Sequence, residues 1–206
     1  SFETKQDIEL KPGQSAVVDD YTVTYVKPTL VRNKQALVFG ADLQVDRNGK
    51  SFAELHPSRQ YHQATDGRPR GIASYFEGEA TSEVGLKAGL RSDFWTSVEP
   101  NTKEFQRRAG LADTLFGAFM RQKVLPVVQK NPERADEVSA AATTLLESTT
   151  DKVVEGYISD DLPFPVTIRV IVSPMVTWIW IGAVIAILGA LFAAWPSGLL
   201  KRRKSA

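Results

Sequence analysis

Hydrophobic and polar positions change period twice along this chain. Near the start they alternate. Tyr21-Thr22-Val23-Thr24-Tyr25-Val26 is built of β-branched and aromatic residues in a period of two, the pattern of a half-buried strand. Ala36–Val45 predicts a second strand, with Gly40 as a bulge or a point of close backbone approach. Asp46-Arg47-Asn48-Gly49-Lys50 holds Asn-Gly, the strongest short hairpin signal, so Ser51–Leu55 should return antiparallel. Lys11-Pro12-Gly13-Gln14 reads as a turn and His62–Arg70 as a loop. Ile72–Phe76, Leu90–Val98 and Val166–Val172 predict further short strands.

Between about 100 and 160 the period becomes helical. Phe105, Ala109, Ala112, Phe116 and Phe119 follow one another at three or four residues and share one helix face. Asn101 with Glu104 has the form of a capping box. Pro126 should end or kink this helix. Asn131-Pro132 should start a second one, continued by Val138, Ala142, Leu145 and Thr149. The expectation is a helical hairpin inserted between two strands, which could be cut out without loss of the β fold.

The end of the chain is apolar. From Val170 to Leu200 there is no charged residue, and about 20 apolar residues suffice to cross a hydrocarbon core. This predicts a transmembrane helix over Val176–Trp195, flanked by Trp178, Trp180 and Trp195 and followed by Lys201, Arg202, Arg203 and Lys204. The basic end should be cytoplasmic and the rest outside. Ser1–Leu10 has no signal-peptide core, so either a leader has been removed or further helices precede this segment. The expected fold class is a mainly β extracytoplasmic domain, a small antiparallel sheet or open barrel, with an inserted helical hairpin and one C-terminal transmembrane helix. It divides into 1–99 plus 164–173 as the periplasmic β domain, 100–163 as the helical insertion, 174–197 as the membrane helix and 198–206 as a basic tail.

Charge narrows the function classes. The 25 Lys and Arg nearly balance 24 Asp and Glu, and without the terminal basic cluster the chain is net acidic, which argues against a nucleic-acid binder. There is no Cys, which excludes disulfides, thiolate nucleophiles, iron–sulfur clusters and zinc–cysteine sites. His56 and His62 flank Tyr61 at an even spacing that a regular strand would put on one face. Paired His could ligate a metal or haem iron, yet Pro57 interrupts the strand and no carboxylate stands at a motif spacing, so ordinary surface histidines are the simpler reading. Asp19-Asp20 and Asp160-Asp161 read as turn residues, and Arg68-Pro69-Arg70 as a solubilising loop. Gly67, Gly71, Gly78, Gly85 and Gly89 form no phosphate loop, and hydrolase, zincin and Walker motifs are absent. No catalytic, cofactor-binding or metal residue is assigned.

Four stretches carry a family resemblance. They are Phe2–Tyr25 with its Lys11-Pro12-Gly13 turn; Leu55-His56-Pro57-Ser58-Arg59-Gln60-Tyr61; Thr81-Ser82-Glu83, Gly89-Leu90 and Ser92-Asp93-Phe94-Trp95; and Pro174–Gly182 with Gly189 following. In order and spacing they resemble the C-terminal part of the CcmF-type cytochrome c biogenesis proteins, the integral-membrane haem lyases. The resemblance covers about 2–99 and 165–204. It implies a protein of the bacterial inner membrane that joins haem covalently to apocytochrome c. Its partners would be the lyase's upstream membrane helices, other cytochrome c maturation subunits, apocytochrome c and the membrane. The complete protein would handle haem, while this segment, which lacks the tryptophan-rich stretch and the ligand contexts, would hold no cofactor and serve docking and shielding. The alternatives are a membrane-anchored periplasmic binding or scaffold protein unrelated to haem, and a haem- or metal-binding module through His56 and His62. The insertion at 100–163 has no counterpart in the resemblance.

Overall fold

A computed structural model describes residues 3–33, 35–63, 71–89, 92–159, 164–174 and 176–194. Its strands arise where the alternation predicts them. In β3 (Tyr21–Arg32), Tyr21, Val23 and Tyr25 are buried while Thr22 and Thr24 stay half-exposed, the period-two signature of a strand with one wet face. Asn48 and Gly49 both adopt positive φ, as a tight hairpin turn requires, and connect β4 (Ala36–Arg47) to β5 (Lys50–Leu55). Gly40 sits where β3, β4 and β6 (Ser58–His62) crowd together. A Cβ there would run into the Thr29 hydroxyl, so the close approach expected at this glycine is present.

The strands form two antiparallel sheets rather than one small sheet or barrel. One has the order β1 (Thr4–Leu10), β10 (Val166–Pro174), β9 (Ser92–Pro100), β8 (Gly85–Lys87). The other runs β2 (Ser15–Val18), β3, β4, β6, β7 (Ala80–Glu83), with β5 on β4. β4 serves both neighbours: its first half, Ala36–Gly40, pairs with β6, and its second half, Leu43–Arg47, pairs with β5. Ile72–Phe76, expected as a strand, is a 3-10 helix instead. Its backbone is held by a distant side chain, since Asp113 accepts hydrogen bonds from the Ile72 and Ala73 N–H groups at 2.8 Å each. Leu90 lies outside the described residues, and the strand expected from it begins at Ser92.

The helices form from the period-3.6 segment, with different ends from those expected. α1 spans Lys103–Phe119; Asn101 accepts from the Lys103 N–H at 3.3 Å, but Glu104 turns to Arg107 and Arg108 and closes no capping box. A single π-helical turn, Met120–Val124, then leads into α2 (Leu125–Lys130), so Pro126 neither stops nor breaks the helix at its own position. Asn131 does not cap α3; its amide donates to the Val127 carbonyl, a 3-10 turn Pro132–Arg134 intervenes, and α3 runs Ala135–Ser159. On α3 the buried positions are Leu146, Thr150, Val154 and Tyr157, one residue on from the stripe that included Leu145 and Thr149. The inner half of this hairpin belongs to the core. Phe105 and Ala109 are fully buried, and Phe39 on β4 meets Phe105, Phe164, Tyr61 and Phe76 with ring centroids 5.3 to 6.2 Å apart. Removing the hairpin would take Phe105, Ala109, Val154 and Tyr157 out of the core, which argues against the expectation that the β fold survives without it.

The expected fold class also needs correction at its C-terminal end. The uncharged run does not form one long helix. Val170–Pro174 completes β10, with Val170 buried and paired to Gln6 and Thr96. The helix that follows, α4, covers Val176–Ala193, about 27 Å at ~1.5 Å per residue. Among the described residues no helix is long and apolar enough to cross a membrane, so the transmembrane helix expected over Val176–Trp195 is not supported. The fold is mixed β and α. Trp195 and the basic cluster Lys201–Lys204 lie outside the described residues.

Candidate functional site

The two histidines are kept separate. His56 lies in the connection between β5 and β6, and its Nδ1 is 2.8 Å from Asp42 Oδ1, which also receives Lys27 at 3.5 Å on the other carboxylate oxygen. His62 ends β6, with Nε2 3.0 Å from Thr81 Oγ1 on β7. Pro57 breaks the strand between them, as its ring requires, so the even spacing does not translate into one face. The carboxylate that accompanies His56 comes from fourteen residues away across a strand pair, a partner no local motif reveals. Among the described residues no group of three or more His, Asp or Glu could hold a metal ion. Asp19 forms a turn with positive φ and Asp20 reaches Arg47 at 3.5 Å; Asp160-Asp161, Gly67 and Arg68-Pro69-Arg70 lie outside the described residues.

A cleft of about 470 Å³ opens instead where both sheets meet the start of α1. Arg59 and Tyr61 reach it from β6, Glu99 from β9, and Thr102, Lys103 and Gln106 from the first turn of α1. The corner is fixed by the Asn101 N–H donating to the Pro165 carbonyl at 2.9 Å and by Gln106 donating to Thr102 Oγ1 at 2.7 Å. Arg59 donates to Ser82 Oγ at 3.2 Å through Nη1, while its buried Nε has no hydrogen-bond partner among the described residues. Burial raises the Tyr61 phenol above its ordinary value, against the opposing pull of the Arg59 charge, so the hydroxyl stays protonated and able to donate.

The cleft offers charged and hydrogen-bonding groups of both kinds. Arg59 and Lys103 face Glu9 and Glu99, so neither sign dominates. Neither histidine lines the cleft. Sequence reading missed this place because its residues come from five segments between Glu9 and Thr167, and each alone looks like an ordinary strand or helix-start residue.

Beside the cleft, two of the resembling stretches are neighbours. β6 and β7 pair antiparallel with Ser58 opposite Glu83 and Gln60 opposite Thr81. Glu83 accepts from Ser58 Oγ at 3.2 Å and from Gln60 Nε2 at 2.7 Å. Ser92–Trp95 lies on β9 against β10, and Asp93 is buried with its carboxylate receiving the Gly89 N–H at 3.0 Å. Set against known proteins, the chain matches no family model, no curated protein and no solved structure.

Proposed function

We propose that this chain is the terminal extracytoplasmic domain of a cytochrome c maturation haem lyase, which docks apocytochrome c and shields the haem-handling face. The observation that supports the reading is the pairing of the resembling stretches. Leu55–Tyr61 and Thr81–Glu83, twenty residues apart, meet as adjacent strands joined through Glu83. A motif set with no catalytic chemistry of its own is spent on a binding surface, and the cleft at Arg59 and Tyr61 adjoins it. An extended apocytochrome segment suits such a surface, since strand addition uses backbone hydrogen bonds and a few side-chain pockets. β7 ends the second sheet and Ala80–Glu83 is its exposed outer strand.

α4 fits the same reading as the packing element. Ile179, Trp180, Ile185, Leu188 and Phe192 are all largely exposed to solvent, an apolar surface that another part of the lyase can cover. Gly182, Ala186 and Ala190 recur every four residues, and a Cβ at Gly182 would meet open space, so a neighbouring helix can come close along this side.

The test is genetic and spectroscopic. Cells lacking the chain, and cells carrying Arg59→Ala with Glu83→Ala, are compared for covalently bound haem in c-type cytochromes by haem staining. The expected result is loss in the first and a several-fold fall in the second, with the variant chain still present at normal amount. Unchanged covalent haem in cells lacking the chain would remove the lyase reading and leave that of a binding or scaffold domain unrelated to haem.

A further inference from the structure

We propose that the outer half of the helical hairpin is a homodimer interface, in which two copies dock hairpin to hairpin as a four-helix bundle. The inner half, through Ala109 on α1 and from Val153 on α3, is packed on the sheets. Beyond it the hairpin projects, and its two arms do not close on each other. A groove of about 320 Å³ runs between them, with Phe116, Met120, Val124 and Val128 on one wall and Ala135, Val138, Ala142 and Leu146 on the other. On the α3 side Ala135, Ser139, Ala142 and Thr143 are interspersed with Val138 and Leu146, and the small side chains leave space along the groove. Phe119, Leu125, Val127 and Leu145 are each more than two-fifths exposed around it, so apolar side chains surround the groove on the surface.

Charge selects a second copy as the occupant. From Thr114 to Pro132 the only charged residues are Arg121, Lys123 and Lys130, all exposed. From Glu133 to Ser148 they are Glu133, Arg134, Asp136, Glu137 and Glu147, all exposed; Arg134 pairs with Glu137 at 3.0 Å, and the arm keeps an excess of acid. One arm is thus cationic and the other anionic, with the apolar groove between. A two-fold axis through the groove lays the cationic arm of each copy on the anionic arm of the other, and each apolar wall fills the other's groove. A partner with a single charge sign would satisfy one arm and repel the other. The hairpin is free to do this because it leaves the molecule at the end of the sheets marked by Pro100 and Val166, while α4 leaves at the opposite end, after Pro174.

The test uses the full chain in a density-matched detergent, by sedimentation equilibrium. The unaltered chain should sediment at twice its mass. Arg121→Glu with Lys123→Glu and Lys130→Glu should weaken association about tenfold or more, and so should Asp136→Lys with Glu137→Lys. Both sets are on the surface, and unchanged circular dichroism melts verify the fold. Mixing the two variants restores opposite charges at both contacts of a mixed pair, so the mixture should regain the two-chain mass with one of each. A one-chain mass for the unaltered chain, dimers that survive both charge reversals, or a mixture that stays monomeric would each overturn the proposal.

Discussion

Phe39 touches four aromatic rings drawn from β6, the 3-10 helix, α1 and the segment leading to β10, and so ties both sheets and the helices to one point. Phe39→Ala leaves a cavity that these rings cannot all collapse into, and the expected loss is about 3–5 kcal/mol in a denaturant melt. Tyr25 makes a different kind of contribution. Its hydroxyl donates to the Phe164 carbonyl at 3.2 Å inside the core, and burial raises its pKa far above the ordinary phenol value. Tyr25→Phe keeps the ring and strands the carbonyl, so the expected cost is about 1–3 kcal/mol, less than at Phe39. Glu104 carries a pH signature. Hydrogen bonds from Arg107 first and Arg108 second hold its carboxyl down at about 2, against an ordinary 4.5. Because the folded pKa is the lower one, whatever stability it lends is in place above pH 4.5 and fades as pH falls towards 2. A carbon-detected titration of the Glu104 carboxyl should give a midpoint near 2 that returns to the ordinary value in Arg107→Ala with Arg108→Ala; a midpoint near 4.5 in the unaltered chain would show that the pairs do not persist in solution.

At the scale of elements, the 3-10 helix and α1 depend on each other. Asp113 binds the two N–H groups of Ile72 and Ala73, and a Cβ on Gly71 would run into that carboxylate. Asp113→Ala should loosen the Ile72–Phe76 segment, seen as faster amide exchange at Ile72 and Ala73, and Gly71→Ala should do the same by pushing the carboxylate away. Equal exchange in both variants and the parent would show that packing of Ile72 alone holds the turn. Replacing 101–162 by a short linker should give an unfolded product, since Phe105, Ala109, Val154 and Tyr157 leave with it; a cooperative β-type melt would show that the sheets suffice. These couplings explain what the sequence made legible. β3, β4, β9 and β10 could be read because half-burial leaves a period of two, and Asn48-Gly49 because a tight hairpin needs two positive φ values. Ile72–Phe76 misled because a short, mostly apolar run looks the same as strand or turn, and its conformation is set by a carboxylate some forty residues away. The capping positions failed for a similar reason. Glu104 had stronger donors in Arg107 and Arg108 than the backbone offered. The cleft at Arg59 and Tyr61 was illegible because only the register of β6 against the start of α1 creates it.

Across the whole molecule, the arrangement of strands decides how the chain is held. Charge-free sequence ran on from Val170 without a break, yet β10 claims its first five residues because they complete a sheet between β1 and β9, and pairing outweighs continuation of a helix. Cutting the chain after Pro174 should therefore leave the melt of the sheets nearly unchanged while removing the exposed apolar side chains of α4, Trp178 to Phe192, which a dye for apolar surface such as ANS would register as a fall in fluorescence. Loss of the cooperative melt would show instead that α4 belongs to the core. β1 and β10 lie side by side with Thr4 opposite Val172, so the polypeptide enters and leaves the two sheets at one end, on neighbouring strands. Tension between the residues before β1 and the helix after β10 meets this ladder at its first rung, and its hydrogen bonds give way in succession, as a zip opens, instead of sharing the load in shear. The domain is mechanically soft along the line joining the start of β1 and the end of β10, and under pull it yields there first, with the far sheet and the hairpin still folded.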